Sequence, residues 1–314
     1  MKKIVLTSMM LGFAVIAGMS RGAAQASADL LQFLPDGNAI IIVDAQKVIA
    51  SSTWTSLTSQ DRFKVIIDKI VENVTELGVK LSDIRTAALV FQSSGWVNPT
   101  IAAEGAFNQT ELLTRLRASS KVKLTSEKYK DYEVHIASRA QTGGGNTDIA
   151  FVFYDTATVV AGSVAGVRAS IDAKTGAKPS VARKTSLTGA LAETPPAVIR
   201  FAMEKIPGLT DRPASADLPL PDFSSIKLVF GTVDLASGIN LNATLRNDTI
   251  EHAKILADRL NAILGIGKAY LKGSSDPKMA ALGNALTTVT VTGSEADVKI
   301  VGNLPPEVLA LIFR

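Results

Sequence analysis

One constant offset relates two parts of the sequence, and this internal repeat constrains the fold more than any other feature. Three pairs of segments share the offset: Leu81-Ser82-Asp83-Ile84 with Leu220-Pro221-Asp222-Phe223, Leu89-Val90-Phe91 with Leu228-Val229-Phe230, and Asn108-Gln109-Thr110 with Asn247-Asp248-Thr249. The two copies lie 139 positions apart in every pair. Three matches in one ungapped register predict a duplicated structural unit.

The first 28 residues have the pattern of a secretory signal peptide. Lys2 and Lys3 precede the apolar segment Ile4–Met19, and Ala26-Ser27-Ala28 is a small-x-small cleavage site. We predict cleavage after Ala28, or two residues earlier. The chain has no cysteine for a lipid anchor, and no later stretch reaches about 18 uninterrupted apolar residues. The mature protein is therefore expected to be periplasmic or secreted in a bacterium, and not an integral membrane protein.

The net charge of the mature chain is close to zero. Loss of Lys2, Lys3 and Arg21 leaves 30 of the 33 basic residues, against 29 acidic residues. This balance removes the electrostatic argument for nucleic acid, or for an anionic membrane, as a partner. Since the chain has no cysteine, it has no disulfide and no thiolate metal site, and the sequence indicates no cofactor.

Hydrophobic periodicity and turn residues predict mixed helices and strands in the first half of the mature chain. The predicted elements are a strand at Ala39–Val43, helices at Ala45–Leu57 and Asp61–Leu77, a hairpin of Thr86–Phe91 with Thr100–Phe107, a helix ending near Ala118, a hairpin of Tyr129–Ala137 with Ile149–Tyr154, a strand at Thr156–Ala161 and a helix at Val164–Ala173. Asn108 is the predicted N-cap of the helix that ends near Ala118, with Glu111 in the capping-box position.

The second half repeats this order of elements. The predicted elements are a strand at Ala197–Met203, a hairpin of Ile226–Leu235 with Ile239–Leu245, a long helix capped by Asn247 or Asp248, a helix at Pro277–Leu286, a hairpin of Thr287–Val291 with Val298–Val301 and a last helix after Pro305-Pro306. In the long helix, Ile250, Leu256, Leu260 and Ile263 are predicted to share one side.

We therefore predict an α+β fold: two tandem repeats of a mainly antiparallel sheet with helices packed on one face. The repeats span residues 29–176 and 195–314, and residues 177–194 connect them. They differ at one place, where the first has the helix Asp61–Leu77 and the second has the proline-rich segment Pro207–Pro221. Without a covering helix, the second repeat is expected to leave an apolar groove.

Residues with catalytic or metal-binding potential are few. The two histidines, His135 and His252, are far apart in sequence, so each is interpreted as a surface or hydrogen-bonded histidine. Ser224-x-x-Lys227 matches a serine-transferase element, but its serine is predicted at the start of a strand and not on a helix. Glu104 is an acid in an apolar strand, where a solvent-facing position is favoured over a buried acid with raised pKa. The sequence thus predicts no catalytic residue and no metal site.

Two apolar residues at corresponding positions of the repeat are candidates for contact with a ligand or partner. Trp96 lies at a predicted hairpin tip beside Gly95, and Leu235 occupies the equivalent position of the second copy. Exposed indoles at such tips often make contacts. The alternative is that both residues pack across the end of the sheet.

The opening Phe33–Ile40, the Tyr129–His135 hairpin and the Asp155–Gly162 strand together resemble large exported bacterial families known as domains of unknown function. The resemblance extends over most of the mature chain and implies no activity and no site residue. The function predicted from the sequence is a non-catalytic exported binding or interaction module for an apolar ligand, a peptide, or a protein or lipid partner in the cell envelope. The alternative is a hydrolase whose carboxylates meet only in space.

Overall fold

The computed structural model of the protein describes residues 29–59, 79–92, 98–140, 146–204, 222–306 and 308. Five predicted features lie outside the described residues: the signal peptide, the helix Asp61–Leu77, Trp96, the loop residues 143–145 of the second predicted hairpin, and the proline-rich segment Pro207–Pro221. The chain divides into two compact units. The first comprises Met1–Ala50 with Lys64–Thr188, and the second comprises Ser51–Phe63 with Gly189–Arg314.

The first unit contains an antiparallel sheet with the strand order β1-β2-β3-β7-β6-β5-β4. Its strands are β1 (Ala39–Asp44), β2 (Ile84–Phe91), β3 (Thr100–Gly105), β4 (Lys123–Tyr129), β5 (Tyr132–Ala140), β6 (Asn146–Phe153) and β7 (Thr158–Gly162). Its helices are α1 (Ala45–Ala50), α3 (Gln109–Ala118) and α4 (Val164–Lys174), with short 3-10 turns at Leu81–Asp83 and Val181–Arg183. The helix α4 packs on β6 and β7, and α3 packs on β4.

The second unit contains an antiparallel sheet with the strand order β8-β9-β10-β12-β11. Its strands are β8 (Ile199–Met203), β9 (Ile226–Asp234), β10 (Ile239–Asn247), β11 (Thr290–Ser294) and β12 (Asp297–Leu304). Its helices are α2 (Ser52–Thr58), α6 (Ile250–Lys272) and α7 (Pro277–Thr287), and α5 (Thr185–Glu193) precedes β8. The long helix α6 packs against β11, β12 and α7.

The α+β class and the antiparallel pairing predicted from the sequence are confirmed. The N-cap predicted at Asn108 is also confirmed, because its side-chain oxygen accepts a hydrogen bond from the Glu111 N–H at 3.0 Å. Leu112, Leu113 and Leu116 point inward from the helix that follows. This helix is therefore held by a local cap at one end and by burial of one apolar stripe along its length.

The cap predicted for α6 is wrong. Asn247 is buried at the end of β10, where its side chain accepts a hydrogen bond from Ser225 Oγ and donates to the Leu245 carbonyl. Asp248 binds His252 Nδ1 at 2.7 Å. The N-cap is Thr249, whose Oγ1 accepts a hydrogen bond from the His252 N–H. Three residues in a row can cap a helix, and the other hydrogen bonds of their side chains decide among them.

Two further predictions are corrected. The predicted helix Ala45–Leu57 is two helices, because Ser51 has an extended backbone and its side chain caps α2 by accepting from the Trp54 N–H. The predicted strand Tyr129–Ala137 contains a turn, since Lys130 has φ of 54° and the chain reverses there from β4 into β5. The strand β4 was not predicted from the sequence because its side chains are largely polar and exposed.

Candidate functional site

A buried carboxylate at the end of α4 forms an ion cluster in the first unit. Asp172 contacts the ammonium groups of Lys130 and Lys178, and its Oδ1 accepts a hydrogen bond from the Tyr129 hydroxyl at 3.1 Å. The hydrogen bond from Lys130 is the main reason that the pKa of Asp172 is lowered. Both oxygens of this carboxylate are engaged by neighbouring cations, so the cluster ties α4 to the β4–β5 turn.

A second ion cluster lies on the sheet of the second unit. The guanidinium of Arg246 binds the carboxylates of Asp297 and Glu193, each through two hydrogen bonds of 2.8–3.1 Å. It also lies over the ring of Phe230, 5.0 Å from the centroid. Asp297 and Glu193 together raise the pKa of Arg246, and Arg246 lowers the pKa of Glu193. The two carboxylates therefore share one cation, whose charge-assisted hydrogen bonds link the end of α5 to β10 and β12.

His135 lies inside the first unit and contacts a serine. Its Nδ1 lies 2.8 Å from Ser126 Oγ, and the same nitrogen is 3.9 Å from a Glu133 oxygen. In a serine hydrolase the base accepts a proton on one ring nitrogen while an acid orients the other. Here the serine and the acid face the same nitrogen. The three side chains do not have the geometry of a catalytic triad.

We expect His135 to make the protein less stable in mild acid. Burial lowers its pKa; the charge of Glu133 opposes this shift and the charge of Arg117 adds to it. Between the lowered folded-state pKa and the ordinary value near 6.5, the unfolded chain binds more protons. Stability is therefore retained above about pH 6.5 and falls as the pH decreases below it, by at most about 1.4 kcal/mol per pH unit. Urea unfolding at several pH values should show this slope.

The control for the pH experiment is His135→Phe, which fills the site next to Phe151 with a ring that does not titrate. The free energy of unfolding of the wild-type protein minus that of this variant should decrease as the pH decreases. Contributions from the other titratable groups are common to both proteins and cancel. A difference that stays constant from neutral pH to pH 5 would contradict the assignment.

The remaining candidates from the sequence take structural positions or fall outside the described residues. Leu235 is 5% exposed, which fits the packing interpretation; contact with a partner stays a prediction for it and for Trp96, which is not among the described residues. Glu104 forms an ion pair with Arg85 Nη2 at 2.8 Å. Ser224 lies in a turn before β9, and the Lys227 ammonium lies 3.8 Å from Asp248.

Exposed apolar side chains are concentrated on one helical hairpin of the second unit. Seven large apolar residues of the described chain are exposed, and six of them belong to α6 and α7. They are Ile250, Ile255, Ile263, Ile266, Tyr270 and Met279; the seventh, Val301, is on β12. Isolated exposed apolar residues are ordinary on protein surfaces, whereas a cluster of them indicates a site of interaction.

The helix α6 has two apolar faces. Its inner face contains the buried residues Ala253, Leu256 and Ala257. Its outer face contains the apolar stripe, which we define as four residues at helical spacing that are 42%, 39%, 71% and 75% exposed in order: Ile255, Ile263, Ile266 and Tyr270. A surface helix normally presents charged residues opposite its packed face, so the outer face of α6 is unusual.

Contacts with the neighbouring strand set the rotation of α6 about its axis. Asn261 Nδ2 donates to the Val291 carbonyl at 3.1 Å, and Lys268 Nζ donates to the Val289 carbonyl at 3.0 Å. A side chain at Gly293 of β11 would come within 3.3 Å of the Ala257 methyl, so glycine there permits the close approach of the helix. With its inner face held in this way, α6 directs the apolar stripe to solvent.

The sequence pattern predicts the wrong inner face for part of this helix. Of the four residues predicted to share one side, Leu256 is buried and Leu260 is half-buried, whereas Ile250 and Ile263 are exposed. The signal for a second face is present in the sequence: residues 260–271 are apolar at every position except Asn261 and Lys268. A helix that is apolar all round needs cover on every side.

Two other kinds of site are absent from the part of the chain that the structure describes. No group of three or more histidine, cysteine, aspartate or glutamate residues there is arranged to hold a metal ion. None of the described helices is both long enough and apolar enough to cross a membrane.

Comparison with known proteins shows only distant similarity of structure. No protein-family model matches the sequence, and no curated protein matches it. Two crystal forms of TP0453 are similar to the structure. Form I has a TM-score of 0.46 at 10% identity, covering 92% of this chain and 97% of that protein. Form IV has a TM-score of 0.45 at 9% identity, covering 93% of this chain and 99% of that protein.

Proposed function

We propose that this chain is an exported, non-catalytic binding module, and that the apolar stripe of α6 is its docking face for an apolar partner surface in the cell envelope. The observation that carries the proposal is the concentration of exposed isoleucine and tyrosine side chains on one outward helix face. The signal-peptide pattern of residues 1–28 supports export. The carboxylates of the two ion clusters are engaged by cations, which supports a structural role for them.

We also infer that the two units arose by duplication, as the constant offset of 139 residues predicts. The strand orders support this inference. In the first unit β1-β2-β3 is followed by β7 and then β6, and in the second unit β8-β9-β10 is followed by β12 and then β11. A helix follows the central hairpin in each unit, α3 in the first and α6 in the second. The hairpin formed by β4 and β5 has no counterpart among the described strands of the second unit.

The helix α6 differs from its counterpart α3 in length and in exposed apolar surface. The ten-residue helix α3 buries Leu112, Leu113 and Leu116. The helix α6 has 23 residues, and its added length contains most of the apolar stripe. Under the duplication hypothesis the extension belongs to the second unit alone, as expected of a functional addition to a shared scaffold.

A neutral apolar dye tests the docking face. We expect Nile red to gain fluorescence on binding the protein, and we expect Ile266→Asp to remove most of that gain because it places a charge at the centre of the stripe. The matched control is Val301→Asp, at a residue that is 46% exposed but lies on β12 and outside the stripe. A gain that is equal in both variants would overturn the docking face, and so would the absence of dye binding by the wild-type protein.

A further inference from the structure

Cations are concentrated where the apolar stripe ends. Residues 259–287 contain four cations and one acid, although the mature chain as a whole is nearly neutral. Lys272 closes α6 two residues after Tyr270, and Lys278 lies on the first turn of α7; both are exposed. Lys268 is held by the Val289 carbonyl and does not contribute a mobile charge. Although the net charge of the mature chain is close to zero, the end of α6 therefore has a local excess of positive charge.

At its other end the stripe is electrostatically balanced. Arg259 follows Ile255 on the same helix face and is exposed. The pKa of Asp222 is lowered mainly by hydrogen bonds from Ser224, and to a smaller degree by Arg259 and His252. The Arg259 charge thus has a carboxylate nearby. The end that carries Lys272, Lys278 and the most exposed stripe residue, Tyr270, has a single acid, Asp276, which caps α7 by accepting from the Lys278 N–H. The two exposed ammonium groups at this end therefore outnumber its one carboxylate.

The stripe is a single row of side chains on one convex helix. An aromatic side chain buries about 150–250 Å², so the exposed parts of four side chains of this size or smaller supply less than about 600 Å². A stable protein interface buries about 800 Å² on each partner. A bilayer surface has no such minimum, because each inserted side chain adds its own transfer free energy.

The residue types at the stripe also match a lipid surface better than a protein surface. Lysine is depleted in protein interfaces. At a membrane surface a lysine can lay its stem along the apolar layer while its ammonium reaches the headgroups. Tyrosine is enriched at this depth because its ring is apolar and its hydroxyl is polar. Isoleucine and tyrosine on one face, with lysines just beyond the end of the stripe, match the composition of a helix that lies in the plane of a membrane surface.

We propose that the partner of the apolar stripe is an anionic lipid surface. In this arrangement α6 lies in the plane of the bilayer, the side chains of Ile263, Ile266 and Tyr270 insert below the headgroups, and Lys272 and Lys278 bind lipid phosphates. The inference rests on the proposed function, because it names the partner of the same docking face.

Vesicle co-sedimentation tests the inference. The protein is purified after processing by its host, and intact mass establishes the N-terminus shared by all variants. We expect binding to phosphatidylcholine vesicles that contain one third phosphatidylglycerol, and much weaker binding to vesicles of phosphatidylcholine alone. Ile266→Asp should weaken binding at least about tenfold. Lys272→Gln combined with Lys278→Gln should weaken it roughly thirtyfold, on anionic vesicles only.

Control variants separate the stripe from general effects. Val301→Asp, outside the stripe, should bind vesicles like the wild-type protein. Tyr270→Ser, at the most exposed position of the stripe, should bind vesicles weakly without affecting the fold. Thermal unfolding curves establish that each variant is folded.

The failure of this inference can be distinguished from failure of the proposed function. If the protein binds the dye but not the vesicles, the lipid partner is overturned and the docking face still stands. If it binds neither the dye nor the vesicles, both the lipid partner and the docking face are overturned. Vesicle binding that survives Ile266→Asp and Tyr270→Ser would overturn the lipid role of the stripe. A concentration-dependent dimer that Ile266→Asp abolishes, with no vesicle binding, would assign the stripe to a second copy of the chain.

Discussion

Leu256→Ala is expected to destabilise the second unit by about 2–5 kcal/mol, whereas Ile266→Ala on the same helix should change its stability by less than about 0.5 kcal/mol. Both changes remove the same number of carbon atoms from a position within α6. Leu256 is 2% exposed on the inner face, so its removal leaves a cavity against the sheet. Ile266 is 71% exposed, and its removal leaves none. The contrast isolates burial from helix propensity, since both variants introduce alanine.

The second unit can be measured separately by fluorescence. The chain has two tryptophans, and Trp54 belongs to α2, in the second unit. In a Trp96→Phe background, the urea unfolding of Trp54 fluorescence reports this unit, which matters because a chain of two units need not unfold in one step. If Ile266→Ala were as destabilising as Leu256→Ala, the outer face would be packed in solution and the docking face would be wrong.

The elements predicted correctly from the sequence are those with strong local signals. The hairpins β2–β3 and β9–β10 follow from alternating or continuous apolar residues bounded by turn residues. The hairpin β11–β12 is also present, but β11 begins at Thr290 and not at the predicted Thr287, because α7 continues to Thr287. The cap at Asn108 follows from one polar residue placed three positions before Glu111. In each case the residues that carry the signal contact one another, so the local pattern contains most of the determining interactions.

The elements missed are those that tertiary contacts decide. The strand β4 is polar and exposed along most of its length, and pairing with β5 makes it a strand. Thr249 caps α6 because Asn247 is occupied by Ser225 and Asp248 by His252. Hydrophobic periodicity does not specify these contacts, because they depend on pairing with another strand or on competing hydrogen bonds.

The sequence indicates that α6 has a second apolar face, but it does not show which of the two faces is exposed. Apolar residues surround the second half of α6, so their spacing alone does not distinguish the inner face from the outer face. The choice is made by Asn261 and Lys268, which bond to the carbonyls of Val291 and Val289 and fix the rotation of the helix. An all-round apolar pattern therefore predicts an unsatisfied face, and the polar contacts of the fold decide which face it is.

Gly231→Ala is expected to destabilise the second unit by about 3 kcal/mol or more. Gly231 lies in the centre of β9, opposite Ala243 of β10. A methyl group at position 231 would lie 2.1 Å from the carbonyl oxygen of Asn242 and 2.8 Å from the Ala243 Cα. Both are backbone atoms of the paired strand, so no rotamer change can relieve the overlap and the strand pair must separate locally.

The matched control is Gly265→Ala, where an added methyl group would meet no atom within 4 Å. Gly265 lies within α6, and alanine at a helix-interior position is more favourable than glycine by about 0.5–1 kcal/mol. One glycine-to-alanine change should therefore destabilise the unit and the other should stabilise it, in the same Trp54 fluorescence assay. Gly265 precedes Ile266 of the stripe, so retained dye binding by a stabilised Gly265→Ala variant would show that docking is compatible with the helical form of α6. If the two changes had equal effects on the free energy of unfolding, the close backbone contact between β9 and β10 at Gly231 would be contradicted.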